Sequence, residues 1–359
     1  MQDILLQIPL LDVSVEEFAL LFITALAGGA FGAALGALPA FVFTGFVVFL
    51  GEGLAILEGN LGEAGVAASG DIATGVTGAI GFGAVTGPHI AFAGGVAATA
   101  YAGRRYPEMG GDGEGYHFGK EITYAFGTKP DILAVGALFG VLGMLITEVA
   151  GAIGVPTDNI ALSVFLTAML ARVVFGYPLV GKAAGGSLFD MSPFERGEER
   201  VAADGGAGRV RPATEPWLPH QYKWSGVTVI GLVGGLLGGY IWIQTGSIFM
   251  GYAISAMSLL FLNLGVEKIP VTHHITLIGA AGAVVVSAMF GNPVVTLLAA
   301  GVFGILSGIL GEVTQRIFYS HSGTHVDPPA MAIALAMLVL GVLFLVGLIP
   351  NAGYLDLAA

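Results

Sequence analysis

The chain has 359 residues, of which 55% are hydrophobic and 11% charged, with a formal net charge of −12 and no cysteine. A soluble domain carries about 25% charged residues, and a globular protein of this length needs a polar coat that this composition does not supply. The acidic balance argues against nucleic-acid binding, which calls for clustered lysine and arginine; the lack of cysteine rules out disulfides, thiol nucleophiles and thiolate metal sites.

Residues 1–18, MQDILLQIPLLDVSVEEF, show neither a positive n-region nor a small-residue cleavage site, so the segment is expected to be retained. Ser14 followed by Glu17 is a capping-box pattern, which starts the first helix near Val15. From there, apolar segments suited to a bilayer crossing of about 20 residues fall near 15–37, 39–58, 87–103, 131–153, 158–177, 225–244, 246–265, 271–291, 293–316 and 327–349. A further apolar stretch, Val76–Val85, precedes the third across Thr86-Gly87-Pro88. Broken or re-entrant helices are therefore expected near residues 76–90 and 268–275. Residues 104–130 and 178–223 are polar, rich in glycine and proline, and read as loops. Threading ten crossings puts all 13 lysines and arginines on one face, at or near helix ends. Under the positive-inside rule that face is cytoplasmic, with loops 104–130 and 178–223 on it and both termini outside.

The chain repeats itself. Residues 139–149 read FGVLGMLITEV and residues 303–313 read FGILSGILGEV; Gly28, Gly29 and Gly32 match Gly234, Gly235 and Gly238. Pro88-His89-Ile90 with Gly94 matches His273-His274-Ile275 with Gly279, and Asp158 and Asp327 open the fifth and tenth segments. Five crossings per copy is odd, so the second copy enters the membrane from the opposite side. The expected fold class is an all-α integral membrane protein of about ten transmembrane segments in two inverted five-helix repeats. Residues 1–177 form one repeat, 178–223 a cytoplasmic linker loop, and 224–359 the other. This arrangement resembles five-plus-five inverted-repeat channels and permeases, of which urea and ammonium channels are examples. The run GPHIAFAGGVAATAYAGRR is similar to one in uncharacterised prokaryotic membrane proteins, and the acidic, lysine-poor loops resemble those of halophilic archaeal proteins. The resemblance implies architecture and no substrate.

Glu148 and Glu312 stand late in the fourth and ninth segments at equivalent places of the repeat. An ionisable residue at depth costs about 2.5–3.5 kcal/mol on insertion scales and by default faces a cavity or a partner; the competing reading is a headgroup position near a helix end. Arg316, four residues after Glu312, can pair with it. His89, His273 and His274 follow Pro88 and Pro270 at helix starts, where free N–H groups hold anions and histidine titrates near neutrality; an interfacial histidine beside a cap is the plainer alternative. The two sides of one path are expected at His89 and His274. His321, His325 and Asp327, near Glu312, have spacing for a borderline divalent metal, although Asp327 before Pro328 also reads as a helix N-cap. The glycines Gly28, Gly29, Gly32, Gly234, Gly235 and Gly238 are read as helix-packing residues.

The expectation is a non-enzymatic permease, proton- or cation-coupled, with no cofactor. It would carry a small polar or ionic solute along the interface of the inverted repeats, where such sites lie. The bilayer and the solute are the expected partners, together with further copies of the chain in a homo-oligomer. A passive oligomeric channel and a non-transporting membrane scaffold are the alternatives, with an intramembrane metalloenzyme behind them.

Overall fold

A computed structural model describes residues 7–8, 10–11, 13–63, 75–110, 115–201 and 210–357. Residues 64–74 before the third segment, and 111–114 and 202–209 of the two loops, with Arg209, lie outside the described residues. A helix stands in each apolar segment: α1 (Val15–Leu35), α2 (Ala37–Glu63), α3 (Ala93–Arg105), α4 (Pro130–Ala152), α5 (Asn159–Phe175), α6 (Trp224–Thr245), α7 (Phe249–Asn263), α8 (His273–Phe290), α9 (Pro293–Thr314) and α10 (Pro328–Leu345). Among the described residues seven helices are long and apolar enough to cross a membrane: α1, α2, α4, α6, α8, α10, and α9 with its continuation to Tyr319. α5 and α7 are apolar but shorter; the 15 residues of α7 span about 22 Å at 1.5 Å per residue. The outer faces expose large apolar side chains such as Leu20, Ile23, Val229, Leu237 and Leu298, as a lipid-facing surface requires.

Local chemistry sets the helix ends. The Ser14 hydroxyl accepts from the Glu17 amide at 3.1 Å while Glu17 Oε2 accepts from the Ser14 amide at 2.9 Å, closing the capping box. Asp158 Oδ1 accepts from the Ala161 amide at 2.8 Å and Asp327 Oδ2 from the Ala330 amide at 2.9 Å. The segment before α3 is interrupted: Gly75–Gly81 is one π-helical piece, Pro88–Phe92 another, and the chain turns between them. Thr86 pins the turn, its hydroxyl donating to the Ile80 carbonyl at 2.8 Å while its own carbonyl accepts from Thr44 Oγ1 at 2.5 Å. Before α8 the chain is non-helical, and Lys268 adopts a positive φ of 66°.

Several glycine contacts follow the sequence correspondence. α1 lies on α4, with Gly29 against Gly136 and Gly140; α6 lies on α9, with Gly235 against Ala300 and Gly304. Gly32 meets the Ala91 backbone and Gly238 the Thr276 backbone, while Gly94 sits on Gly29 and Gly279 on Gly235. Gly28 abuts the Ala84 carbonyl and Gly234 the Ile275 side chain. The residues N-terminal and C-terminal to the linker meet through α2 on α7, and through α5 on α10, where Gly341 lies on Pro156 and Thr157 Oγ1 donates to the Ala334 carbonyl at 2.6 Å.

The described parts of 104–130 and 178–223 fold back on the helix ends. Strands Glu199–Val201 and Val210–Pro212 pair antiparallel, and a one-turn helix covers Ser192–Glu195. Arg172 anchors the layer from α5, donating to Thr324 Oγ1 at 2.7 Å and to the Leu179 carbonyl at 2.6 Å.

Candidate functional site

Between α2 and α5 on one side and α7, α8 and α10 on the other lies a cavity of about 330 Å³. The sequence builds its wall from aromatic side chains on elements far apart in the chain. Phe41 makes edge contacts with Phe92 and Tyr252, Phe82 with Phe249, and Phe249 with Tyr354. His273 joins the cluster 4.7 Å from the Phe41 ring and 5.6 Å from that of Tyr252. Its Nδ1 is buried with no hydrogen-bond partner among the described residues.

Three aspartates are among the lining residues: Asp158, Asp327 and the exposed Asp356. The first two cap α5 and α10 with one or more bonds each, and keep acceptor capacity beyond the cap. Asp158 Oδ2 accepts from the Tyr354 hydroxyl at 2.7 Å, and Asp327 Oδ1 lies 3.3 Å from His325 Nε2. No lysine or arginine lines the cavity among the described residues.

A second, more open cavity of about 740 Å³ adjoins the first, bordered by Tyr116, Lys120, Glu121, His220, Glu267 and Lys268. Leu38, Ile122, Trp217, Leu218 and Leu262 line both, at the place where the two cavities adjoin. The Leu38 amide donates to the Ile122 carbonyl at 2.9 Å, tying the start of α2 to loop 104–130 there.

Beneath the open cavity the two loops are joined by a buried charge cluster. Lys120 pairs with Glu215, and Arg211 Nη1 reaches the same carboxylate at 3.1 Å. Glu215 also accepts from the His117 amide at 3.2 Å, and the Lys120 ammonium lies 4.3 Å over the Tyr319 ring. Burial pushes the Lys120 pKa down to about 7 against the pull of Glu215.

The residues singled out in the sequence are distributed over several places. Glu148, half-buried on α4, lines a 410 Å³ cavity with His89 and Thr147. Glu312, buried on α9, lines a small cavity with His274, Gln221 and Tyr222. It accepts from Arg316 Nε at 2.5 Å and from Gln315 Nε2 at 2.9 Å. Each glutamate therefore shares a cavity with the corresponding histidine, and Nδ1 of both histidines lacks a hydrogen-bond partner among the described residues. Among the described residues the His89–Glu148 cavity and the His274–Glu312 cavity have no lining residue in common. Of the residues expected on a path, Pro88 and His273 reach the central cavity.

Of the expected metal set, His325 Nε2 lies 3.3 Å from Asp327 Oδ1, while His321 Nε2 faces the Leu188 carbonyl at 2.9 Å and burial lowers the His321 pKa. Among the described residues no group of three or more His, Asp or Glu side chains is placed to hold a metal ion. The sequence pattern left the aromatic residues unmarked, with Asp158 and Asp327 read as segment starts and Asp327 as a cap or metal ligand. The signal that could have found them is the pairing itself, an aspartate opening the last helix of each copy.

A family model described as a family of unknown function, DUF7973, matches residues 10–358. No curated protein and no solved structure matches the chain.

Proposed function

Because the chain belongs to that family of unknown function, we infer its activity from its own residues: it is a permease that moves a small polar or ionic solute across the membrane through the central cavity. The observation that carries this reading is a cavity of about 330 Å³ bearing the capping aspartates of both copies, next to a 740 Å³ cavity with which it shares five lining residues. Small-molecule sites are concave, mostly apolar and furnished with a few placed polar groups.

The reading includes ten crossings in two inverted repeats, 1–177 and 224–359, joined by the 178–223 linker. The matching contacts of α1 with α4 and of α6 with α9 support it, as does the matched capping of α5 and α10. In this frame the central cavity lies at the repeat interface, as in inverted-repeat transporters. The interrupted segment before α3 is a broken helix lining that interface, where irregular backbone is tolerated. The open cavity faces the cytoplasm, on the side that carries the lysines and arginines. The paired His89–Glu148 and His274–Glu312 cavities supply groups for coupling to protons or another cation.

Reconstitution into liposomes tests this. Accumulation of solute against its gradient, driven by a proton or sodium gradient, is the expected result. Flux that only equilibrates makes the protein a passive channel. No solute flux under any gradient overturns the reading and leaves a scaffold.

A further inference from the structure

We propose that the central cavity binds a small organic cation of the quaternary-ammonium class, held between aromatic faces and the Asp158 and Asp327 carboxylates. The assignment rests on the pathway reading above and names its solute class.

Charge is the first argument. Three carboxylates and no lysine or arginine line the cavity among the described residues, so an anionic solute meets repulsion with no counter-charge. Asp158 and Asp327 are held by a helix amide and one side chain each, with no lysine or arginine beside them in the lining among the described residues, so a cationic ligand would supply the missing counter-charge. Asp158 and Asp327 stand at corresponding places of the two copies, each beginning a helix at the edge of the same cavity, so they approach a central ligand from two sides.

The lining selects among cations. A hydrated inorganic ion requires several oxygens to replace its water, and this wall is mainly Phe, Tyr, Leu and Ile. A methylated ammonium holds water weakly and gains from ring faces, the recognition used wherever quaternary ammonium ligands are bound. Phe41, Phe82, Phe92, Phe249, Tyr252 and Tyr354 supply such faces in one contiguous cluster. His273, buried beside Phe41 with Nδ1 unpartnered among the described residues, offers a polar atom for a hydroxyl or carboxyl group on the same solute. The volume, about 330 Å³, sits at the small end of ligand pockets.

The helix caps make the test clean. Asparagine caps a helix about as well as aspartate, so Asp158→Asn and Asp327→Asn remove charge while keeping the bonds to the Ala161 and Ala330 amides. Calorimetric titration of the purified full chain is run with choline, with its neutral isostere 3,3-dimethyl-1-butanol, and with sodium chloride. Choline is expected to bind at least about tenfold more tightly than the isostere, and each Asn variant to lose at least about tenfold in choline affinity with an unchanged melting temperature. Equal affinity for choline and the isostere, unaltered choline binding by both variants, or no choline binding overturns the proposal. Labelled-choline flux in liposomes separates this from the permease reading. Choline binding without flux upholds the ligand class and overturns transport, whereas flux of another solute by a protein that does not bind choline does the reverse.

Discussion

Glu312 is 5% exposed and shares its Oε1 with Arg316 and Gln315, while Glu148 is half-buried and has no ion-pair partner among the described residues. Replacing Glu312 by glutamine leaves the Arg316 guanidinium buried against the Phe189 and Tyr222 carbonyls and the Trp224 ring without its counter-charge. Breaking a buried pair in this way costs about 3 kcal/mol, so Glu312→Gln should lower the melting temperature in detergent by several degrees. Glu148→Gln should stay within about 0.5 kcal/mol of the parent. Equivalent positions in the repeat thus carry different loads, which the sequence shows only through the arginine four residues on. At Lys120 the argument turns on pH. Its pKa of about 7 in the fold lies below the unfolded value of about 10.4, so the unfolded chain holds the extra proton between those limits. The penalty is full below pH 7 and fades as pH rises toward the unfolded value, so stability should climb by up to about 1 kcal/mol per pH unit in that window. Melting curves from pH 6 to 9.5 should show this climb, and Lys120→Met should flatten it.

Helices α1 and α6 owe their positions to glycines that bring backbones together. A Cβ at Gly32 would fall on the Ala91 carbonyl and one at Gly143 on the His89 carbonyl, backbone atoms that cannot step aside. Gly32→Ala and Gly143→Ala should each cost about 1–3 kcal/mol through overpacking. At Gly53 in α2 a Cβ meets nothing within 4 Å, so Gly53→Ala should stabilise by about 0.5–1 kcal/mol, the helix-propensity difference. Thermal melts of the three variants, side by side, check the contrast. Features of this kind were readable in advance because they are local: the capping box at Ser14 and Glu17, the caps at Asp158 and Asp327, and the small-residue runs of α1 and α6. The interruption around Thr86-Gly87-Pro88 was readable for the same reason. The partner of each glycine was not, because it lies on another helix. The length of a crossing was also less legible than its existence. Apolar composition marked α5 and α7 as segments, but Gly176 with φ of 75° and the αL turn it forms stop α5 at Phe175, and α7 ends at Asn263.

At the scale of the whole molecule, the central cavity escaped sequence reading for a physical reason. Its rings come from α2, the turn before α3, α7 and the segment after α10, and no periodicity along the chain records that they converge. The pairing of copies and the placing of basic residues, by contrast, are written along the chain, and together they imply a definite sidedness that α5 decides. Its 17 residues span about 26 Å, slightly less than the roughly 30 Å hydrocarbon core, a mismatch that local thinning of the bilayer accommodates at modest cost. If α5 crosses, the copies are antiparallel and the carboxylates of Asp158 and Asp327 reach the cavity from opposed helices; if it does not, the copies run the same way. The chain has no native cysteine, so single cysteines report sidedness without background. Ile153, 64% exposed just before α5, and Lys182, exposed after it, bracket that one helix. In sealed vesicles a membrane-impermeant maleimide should reach Ile153→Cys from one side only and Lys182→Cys from the other. Thr245→Cys and Glu267→Cys, bracketing α7, should behave likewise. Modification of both members of a pair from the same side would remove that crossing from the count, and with it the inverted arrangement proposed for the two copies.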